Sequence, residues 1–204
     1  MKNQEFALPG LDVRRPSELT TPVVFSSPHS GRCYPRAFIR QSRLDAKTLR
    51  RSEDSFVDEI FSSAPEFGAP LIRALFPRAY IDVNREPFEL DPEMFDSVLP
   101  DYVRTRSSRI TAGLGTIPKV VADGATIYAE PLKFLEARQR IEAHHRPYHL
   151  ALKQLLNEAD EKFGVSLLID CHSMPSQYAL GRRTKGLKDV DIVLGDNHNA
   201  ACAS

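Results

Sequence analysis

Ser166-Leu167-Leu168-Ile169-Asp170-Cys171-His172-Ser173 sets an apolar run directly against four side chains able to take part in chemistry. Leu167 to Ile169 reads as a buried strand. Open α/β sheets bind ligands just outside the carboxyl ends of their strands, so a strand that stops at Asp, Cys, His and Ser delivers those groups to where a site forms. The pattern occurs twice earlier in the chain. Val23-Val24-Phe25 runs into Ser26-Ser27-Pro28-His29-Ser30-Gly31, and Ala79-Tyr80-Ile81 runs into Asp82-Val83-Asn84-Arg85. Strand ends carrying His, His and an Asp/Asn/Arg set point to metal-assisted hydrolysis.

Outward from these three ends, residues 1 to 21 hold Pro9, Gly10 and Pro16 with little periodicity and read as an irregular lead-in. A strand follows at Val23 to Ser27. Leu49, Phe56, Val57, Ile60 and Phe61 approximate one apolar face and predict a helix over Asp45 to Phe61, with Asp45 as its N-cap. Phe67-Gly68-Ala69-Pro70 is a turn. Leu71 to Leu75 and Arg78 to Val83 then read as two short strands, or one interrupted by Pro77. Glu86 to Asp101, with three prolines, is a long loop, and such loops often carry function. Arg104 to Ala129 reads as loop with short strands. Pro131 suits the first turn of a long helix, Leu132 to Phe163, closed by Gly164 and broken near His144 to Arg146 by Pro147. Val165 to Asp170 and Asp189 to Gly195 are the last strands. This alternation predicts a single α/β domain over residues 1–204, with a mostly parallel or mixed sheet and helices on both faces.

The 204 residues carry 27 Lys plus Arg against 27 Asp plus Glu, and 42% are apolar, enough for a real core. That balance argues against a nucleic-acid partner. No run approaches the roughly 20 apolar residues of a membrane span, and Met1-Lys2-Asn3-Gln4-Glu5 lacks the apolar core of a secretory signal. Cys33, Cys171 and Cys202 are an odd set without a CxxC pair, which fits a reduced, cytoplasmic protein. Arg104, Arg106 and Arg109, and Arg182, Arg183 and Lys185, form basic clusters suited to an acidic small molecule or to a solvated surface.

His29 and His172 occupy the same topological place, and imidazole binds zinc without adding charge. A third ligand is open among Glu53, Asp54, Asp58 and Glu59; Asp54 sits at the boundary of the buried face set by Phe56 and Val57. Arg85 offers a planar fork for a substrate carboxylate, or a structural pair with Asp82. His149 faces either the cleft or the surface, while His144 and His145 read as solvated. Ser26, Ser27, Ser30 and Ser173 raise a serine hydrolase, but no Gly-x-Ser-x-Gly elbow is present. Gly113-Leu114-Gly115-Thr116 lacks the spacing of a phosphate loop.

Ser26-Ser27-Pro28-His29-Ser30-Gly31, Asp82-Val83-Asn84-Arg85, Arg146-Pro147-Tyr148-His149 and Asp170-Cys171-His172-Ser173, in this order, resemble the N-formylglutamate amidohydrolase family. Leu194-Gly195-Asp196 with Ala201-Cys202-Ala203 resembles that family's next segment. The resemblance implies a phosphorylase/hydrolase-like fold related to zinc carboxypeptidases. It implies zinc-dependent cleavage of N-formyl-L-glutamate, or a similar N-acyl amino acid, as in histidine degradation. The alternatives are a deacylase or peptidase on another N-acyl amino acid, and a non-catalytic binder of acidic ligands. The partner implied is thus a small-molecule N-acyl amino acid. The site it implies has His29, Asp54 and His172 on the metal, with Glu53 in reserve. Asn84, Arg85 and Ser30 would be on the substrate, and Arg85 and His149 in catalysis. Zinc carboxypeptidases place a Glu three residues after the first His; Arg32 stands there here. The family also implies a segment beyond Cys202 with a glutamate acting as general base or acid, which the chain reads as lacking; Glu130 is the alternative.

Overall fold

A computed structural model of the chain describes residues 10–175 and 191–195. The chain divides into two units, Met1–His172 and Ser173–Ser204. In the second, residues 191–195 carry no regular structure, and Asp189 and Val190 of the expected last strand lie outside the described residues.

The first unit is a mixed α/β fold around one open sheet. Its strands are β1 (Leu11–Arg14), β2 (Val23–Ser27), β3 (Leu71–Ala74) and β4 (Leu167–Asp170), in the order β1-β3-β2-β4. β2 is parallel to both neighbours, and β1 runs antiparallel to β3. β1 lies in the stretch expected to be irregular. Its residues are half-buried, and Leu11 and Val13 alternate with Asp12 and Arg14 in too short a run to stand out beside Pro9 and Pro16. The expected strand Arg78 to Val83 does not form. Tyr80 and Ile81 both donate back to the Pro77 carbonyl, and Asn84 N–H bonds the Asp82 side chain, so the segment is a series of turns.

The core gathers Val24, Phe38, Leu49, Ile72, Phe76, Ile81, Leu90, Ile117, Ile127, Ile141 and Leu155, all nearly inaccessible. Each such side chain contributes about 1.5–3 kcal/mol relative to exposure. β4 departs from its reading as a buried strand. Among the described residues it is an edge strand, and Leu167 and Leu168 are 45% and 39% exposed. Apolar character in a sequence reports a preference for cover, not whether another element supplies it.

The helices are α1 (Arg36–Gln41), α2 (Ala46–Leu49), α3 (Val57–Ile60), α4 (Ser108–Thr111), α5 (Phe134–Arg140) and α6 (Arg146–Phe163). Asp45 does cap α2, accepting from Thr48 N–H at 2.7 Å. The single helix expected over Asp45 to Phe61 breaks at Glu53 to Phe56. There Asp54 N–H bonds the His29 carbonyl instead of continuing a helix, and Phe56 adopts φ 67°. A bulky residue in that region costs on the order of 1–2 kcal/mol, a strain that clusters at functional sites. The long helix begins at Phe134, not at Pro131, with Lys133 as its cap. Pro147 has no N–H to give the preceding turn, and Ile141–His145 forms a π turn joining α5 to α6. Gly164, at φ 73°, ends α6 as expected. α6 packs against β2 and β3. Among the described residues no helix is long and apolar enough to cross a membrane.

Candidate metal centre

β2 and β4 are adjacent and parallel, with Ser26 opposite Asp170. Their carboxyl ends therefore emerge side by side, and His29 and His172 follow within three residues of that pair. The two rings lie 4.9 Å apart, centroid to centroid. Gly31 allows the chain to leave β2 close to β3, since a Cβ there would stand 2.0 Å from the Phe76 carbonyl oxygen.

The broken helix supplies the third group. The turn at Phe56 aims Asp54 inward, and donor atoms of His29, Asp54 and His172 all lie within 4.8 Å of one another. Asp54 Oδ2 is 2.9 Å from His172 Nδ1 and 3.3 Å from His29 Nδ1. Ligands held tetrahedrally by bonds of about 2.0 Å stand about 3.3 Å apart. The far nitrogens are held by carboxylates. His29 Nε2 bonds Asp82 Oδ1 at 2.8 Å, and His172 Nε2 bonds Asp170 Oδ2 at 2.9 Å. Carboxylates in these positions fix the tautomer and turn both Nδ1 atoms to one point.

His29 Nδ1 decides whether a metal fits. It is buried and takes no hydrogen bond among the described residues, although Asp54 is near. With Nε2–H given to Asp82, the neutral ring presents a lone pair at Nδ1 toward a carboxylate oxygen. A cation between the two relieves that contact, so the residues present fit a divalent ion. Burial alone would raise Asp54; the hydrogen bond from His172 and the nearness of His29 outweigh it and hold the carboxyl well below its usual range. Burial would likewise lower His172, but Asp170 and Asp54 lift it to about 9.

Further bonds anchor this set. Tyr148 O–H donates to Ser26 Oγ at 3.0 Å, and Ser26 donates to Asp170 Oδ1 at 2.8 Å. Burial keeps the Tyr148 phenol protonated. On the other side Asp82 is held by Arg78 at 3.0 Å and faces Arg85 at 3.7 Å. Sequence reading missed Tyr148 and Ser26 as supports of Asp170, and Asp82 as the partner of His29. Their residue types were visible, but the pairings span from 53 to 144 positions.

The remaining candidates are placed as follows. Arg85 donates to the carbonyls of Leu114 and Asn84, at 2.9 and 2.5 Å. Burial, and the charges of Arg78 and Arg109, push its pKa down against the pull of Asp82. Asn84 is exposed and donates to Asp170 Oδ2 at 3.0 Å. Its Nδ2 also lies 3.2 Å from His172 Nε2, a meeting of two donors once that nitrogen gives its proton to Asp170. Ser30 is buried and fully engaged. Its hydroxyl bonds Ser27, donates to the Asp54 carbonyl and accepts from Asp58 N–H, so it supports the backbone at Asp54. His149 Nε2 donates to the Val83 carbonyl at 2.7 Å, which assigns that ring atom to the backbone. His144 and His145, expected to be solvated, are buried. Glu53 accepts from Tyr34 and Arg50, away from the cluster, and Glu130 is exposed.

The N-formylglutamate amidohydrolase family model matches residues 21–204. The N-formylglutamate deformylase of Pseudomonas putida is 27% identical over 183 residues, 89% of this chain and 61% of its own length. That of Pseudomonas aeruginosa is 28% identical over 185 residues, with the same coverage. A crystal structure of N-formylglutamate amidohydrolase from Ralstonia eutropha superimposes with TM-score 0.77 at 32% identity, covering 84% of this chain and 60% of that one. The chain thus spans about three fifths of the length of these relatives. A match running through both histidine-bearing strand ends, with a solved relative of the same architecture, makes this chain a member of the N-formylglutamate amidohydrolase family.

Proposed function

We propose that the chain carries the metal site of an amidohydrolase that splits N-formyl-L-glutamate, or a close N-acyl amino acid, into formate or the matching acid and the free amino acid. Family membership and the names of the Pseudomonas relatives support the reaction class. The observation that carries the reading is the pair of Nδ1 atoms turned toward Asp54, each ring fixed from behind by Asp82 or Asp170. A phosphorylase/hydrolase-type fold agrees with the mixed sheet and the adjacent strand ends that carry the histidines.

His29, Asp54 and His172 would hold the ion; two histidines and one carboxylate with an open position is the ligand set of zinc hydrolases. When bound, such an ion polarises the scissile carbonyl and lowers the pKa of a coordinated water toward neutrality. Asp82 and Asp170 each accept from Nε2 and orient the imidazoles, leaving Nδ1 as the ring atom that faces the ion. Arg85 binds the substrate carboxylate. Its guanidinium is half-buried beside Arg78 and Arg109, with Asp82 and Glu89 as counter-charges, so three cations face two acids where an anion would enter. Asn84 turns from Asp170 to help seat that carboxylate. Unpaired Cys33 and Cys171 agree with a reducing compartment such as the cytoplasm.

Formate release from N-formyl-L-glutamate, measured on zinc-loaded and chelator-treated protein, tests the proposal. Turnover should require the metal, and Arg85→Ala should raise KM at least tenfold. Equal turnover after chelation would remove the metal from the reaction. A panel including N-acetyl amino acids tests the acyl preference, and binding of glutamate without turnover would favour the non-catalytic reading.

A further inference from the structure

Val83 and Arg85 flank Asn84 on a segment with no regular secondary structure, and each of their carbonyls is held by a histidine from the long helix. His145 Nε2 donates to the Arg85 carbonyl at 2.7 Å, and His149 Nε2 donates to the Val83 carbonyl at 2.7 Å. The two rings stack 4.4 Å apart at 30°, one turn from each other. His145 is 5% exposed, whereas His149 is exposed. We infer that His145, supported by His149, is a positioning residue that fixes the Asn84–Arg85 segment, and with it affinity for the substrate carboxylate.

The π turn accounts for the placement. His144 and His145 are adjacent on the π turn and both are buried. The wider turn admits both. His144 faces Phe76 and Tyr80, while His145 reaches the Arg85 carbonyl. π turns within α-helices often occur at functional sites. The backbone at 83–85 needs such support. Its preceding anchor is Asp82 N–H on the Thr116 carbonyl, and the next donation, Asn84 N–H to Asp82 Oδ1, lies within the segment itself. Arg85 spends its own Nη1 on the Asn84 carbonyl. Without the two imidazoles, the carbonyls on either side of Asn84 lose their fixed partners, and guanidinium and amide lose their shared aim.

This inference rests on the reading of Asn84 and Arg85 as the carboxylate clamp. Its test uses His145→Phe, which fills the space but donates nothing, and His145→Gln, whose amide can donate to the same carbonyl. His149→Phe is the more exposed companion if the first variant folds poorly. KM for N-formyl-L-glutamate should rise about tenfold in His145→Phe, while kcat and zinc content stay within about twofold; His145→Gln should recover most of the loss. Amide exchange of the peptide spanning Val83 to Glu86, followed by mass spectrometry, should quicken in both Phe variants. Unchanged KM and unchanged exchange in His145→Phe and His149→Phe would overturn the inference. So would a kcat loss with KM intact. Arg85→Ala serves as the control for the underlying reading: an unaffected KM there sinks the clamp itself, while an Arg85 effect without a His145 effect sinks only the positioning role.

Discussion

Asp82 accepts the Nε2 proton of His29 at 2.8 Å, and both residues are 1% exposed. Burial would raise the Asp82 carboxyl, but the charge and hydrogen bond of His29, with Arg78 and Arg85, hold it well below the usual range. The carboxylate therefore stays ionised and accepts the Nε2 proton, so Nδ1 is the ring atom turned toward Asp54. Asp82→Asn preserves shape but removes the charge that selects this tautomer. Metal affinity should fall about 10–100-fold, the usual effect of losing such a partner, as read by competition with a chromophoric chelator. Unchanged affinity would show that His29 needs no orienting group.

Proton competition at His172 gives a pH dependence with a definite sign. Its folded pKa is about 9 without metal, above the ordinary value near 6.5. The charged ring thus stabilises the metal-free fold fully below about pH 6.5, and that contribution is lost as pH rises through about 9. Metal binding needs the neutral ring, so apparent affinity should climb about tenfold per pH unit and level off near 9. Calorimetry in buffers of different ionisation enthalpy at pH 7 should register proton release on metal uptake. A flat affinity profile from pH 6.5 upward would count against His172 as a ligand.

Tyr148 supports the same histidine from a distance, through Ser26 and Asp170. Tyr148→Phe keeps the ring packing and removes one buried donor. We expect a loss of about 1 kcal/mol, or about 2–4 °C in Tm for a chain of this size, with zinc still bound. A drop beyond about 3 kcal/mol, read from urea unfolding, would indicate that the phenol does more than hold Ser26.

Cys171 lies between Asp170 and His172 without being a thiolate. Burial and the Asp170 charge raise its pKa to about 12, against a hydrogen bond from the backbone. At pH 8 the native protein should resist iodoacetamide at Cys171 and react there once unfolded, as followed by peptide mapping. Rapid native alkylation would place the thiol in a more open and polar setting.

Much of this arrangement was legible in the residues. His29 and His172 each follow a short β-branched or leucine-rich run by a few positions, and two such runs as parallel neighbours bring their ends together. Asp54 could be suspected from its place beside Phe56 and Val57. Other parts depend on what short-range pattern does not encode. β1 forms because β3 offers an antiparallel partner, not because Leu11 to Arg14 prefers a strand. The helix over Asp45 to Phe61 yields to a bond from Asp54 N–H to the His29 carbonyl. His145 is buried on the π turn that precedes Pro147, against the outward reading that its neighbours suggest. Leu167 and Leu168 carry the hydrophobicity of a core strand on what is, among the described residues, a sheet edge.

Elemental analysis of the zinc-loaded, gel-filtered chain and of His172→Ala, with circular dichroism confirming that both are folded, tests the three-ligand centre most directly. The account predicts about one equivalent of zinc in the parent, as a single set of three ligands requires, and none retained by the variant. A full equivalent in folded His172→Ala, or none in the parent, would contradict it.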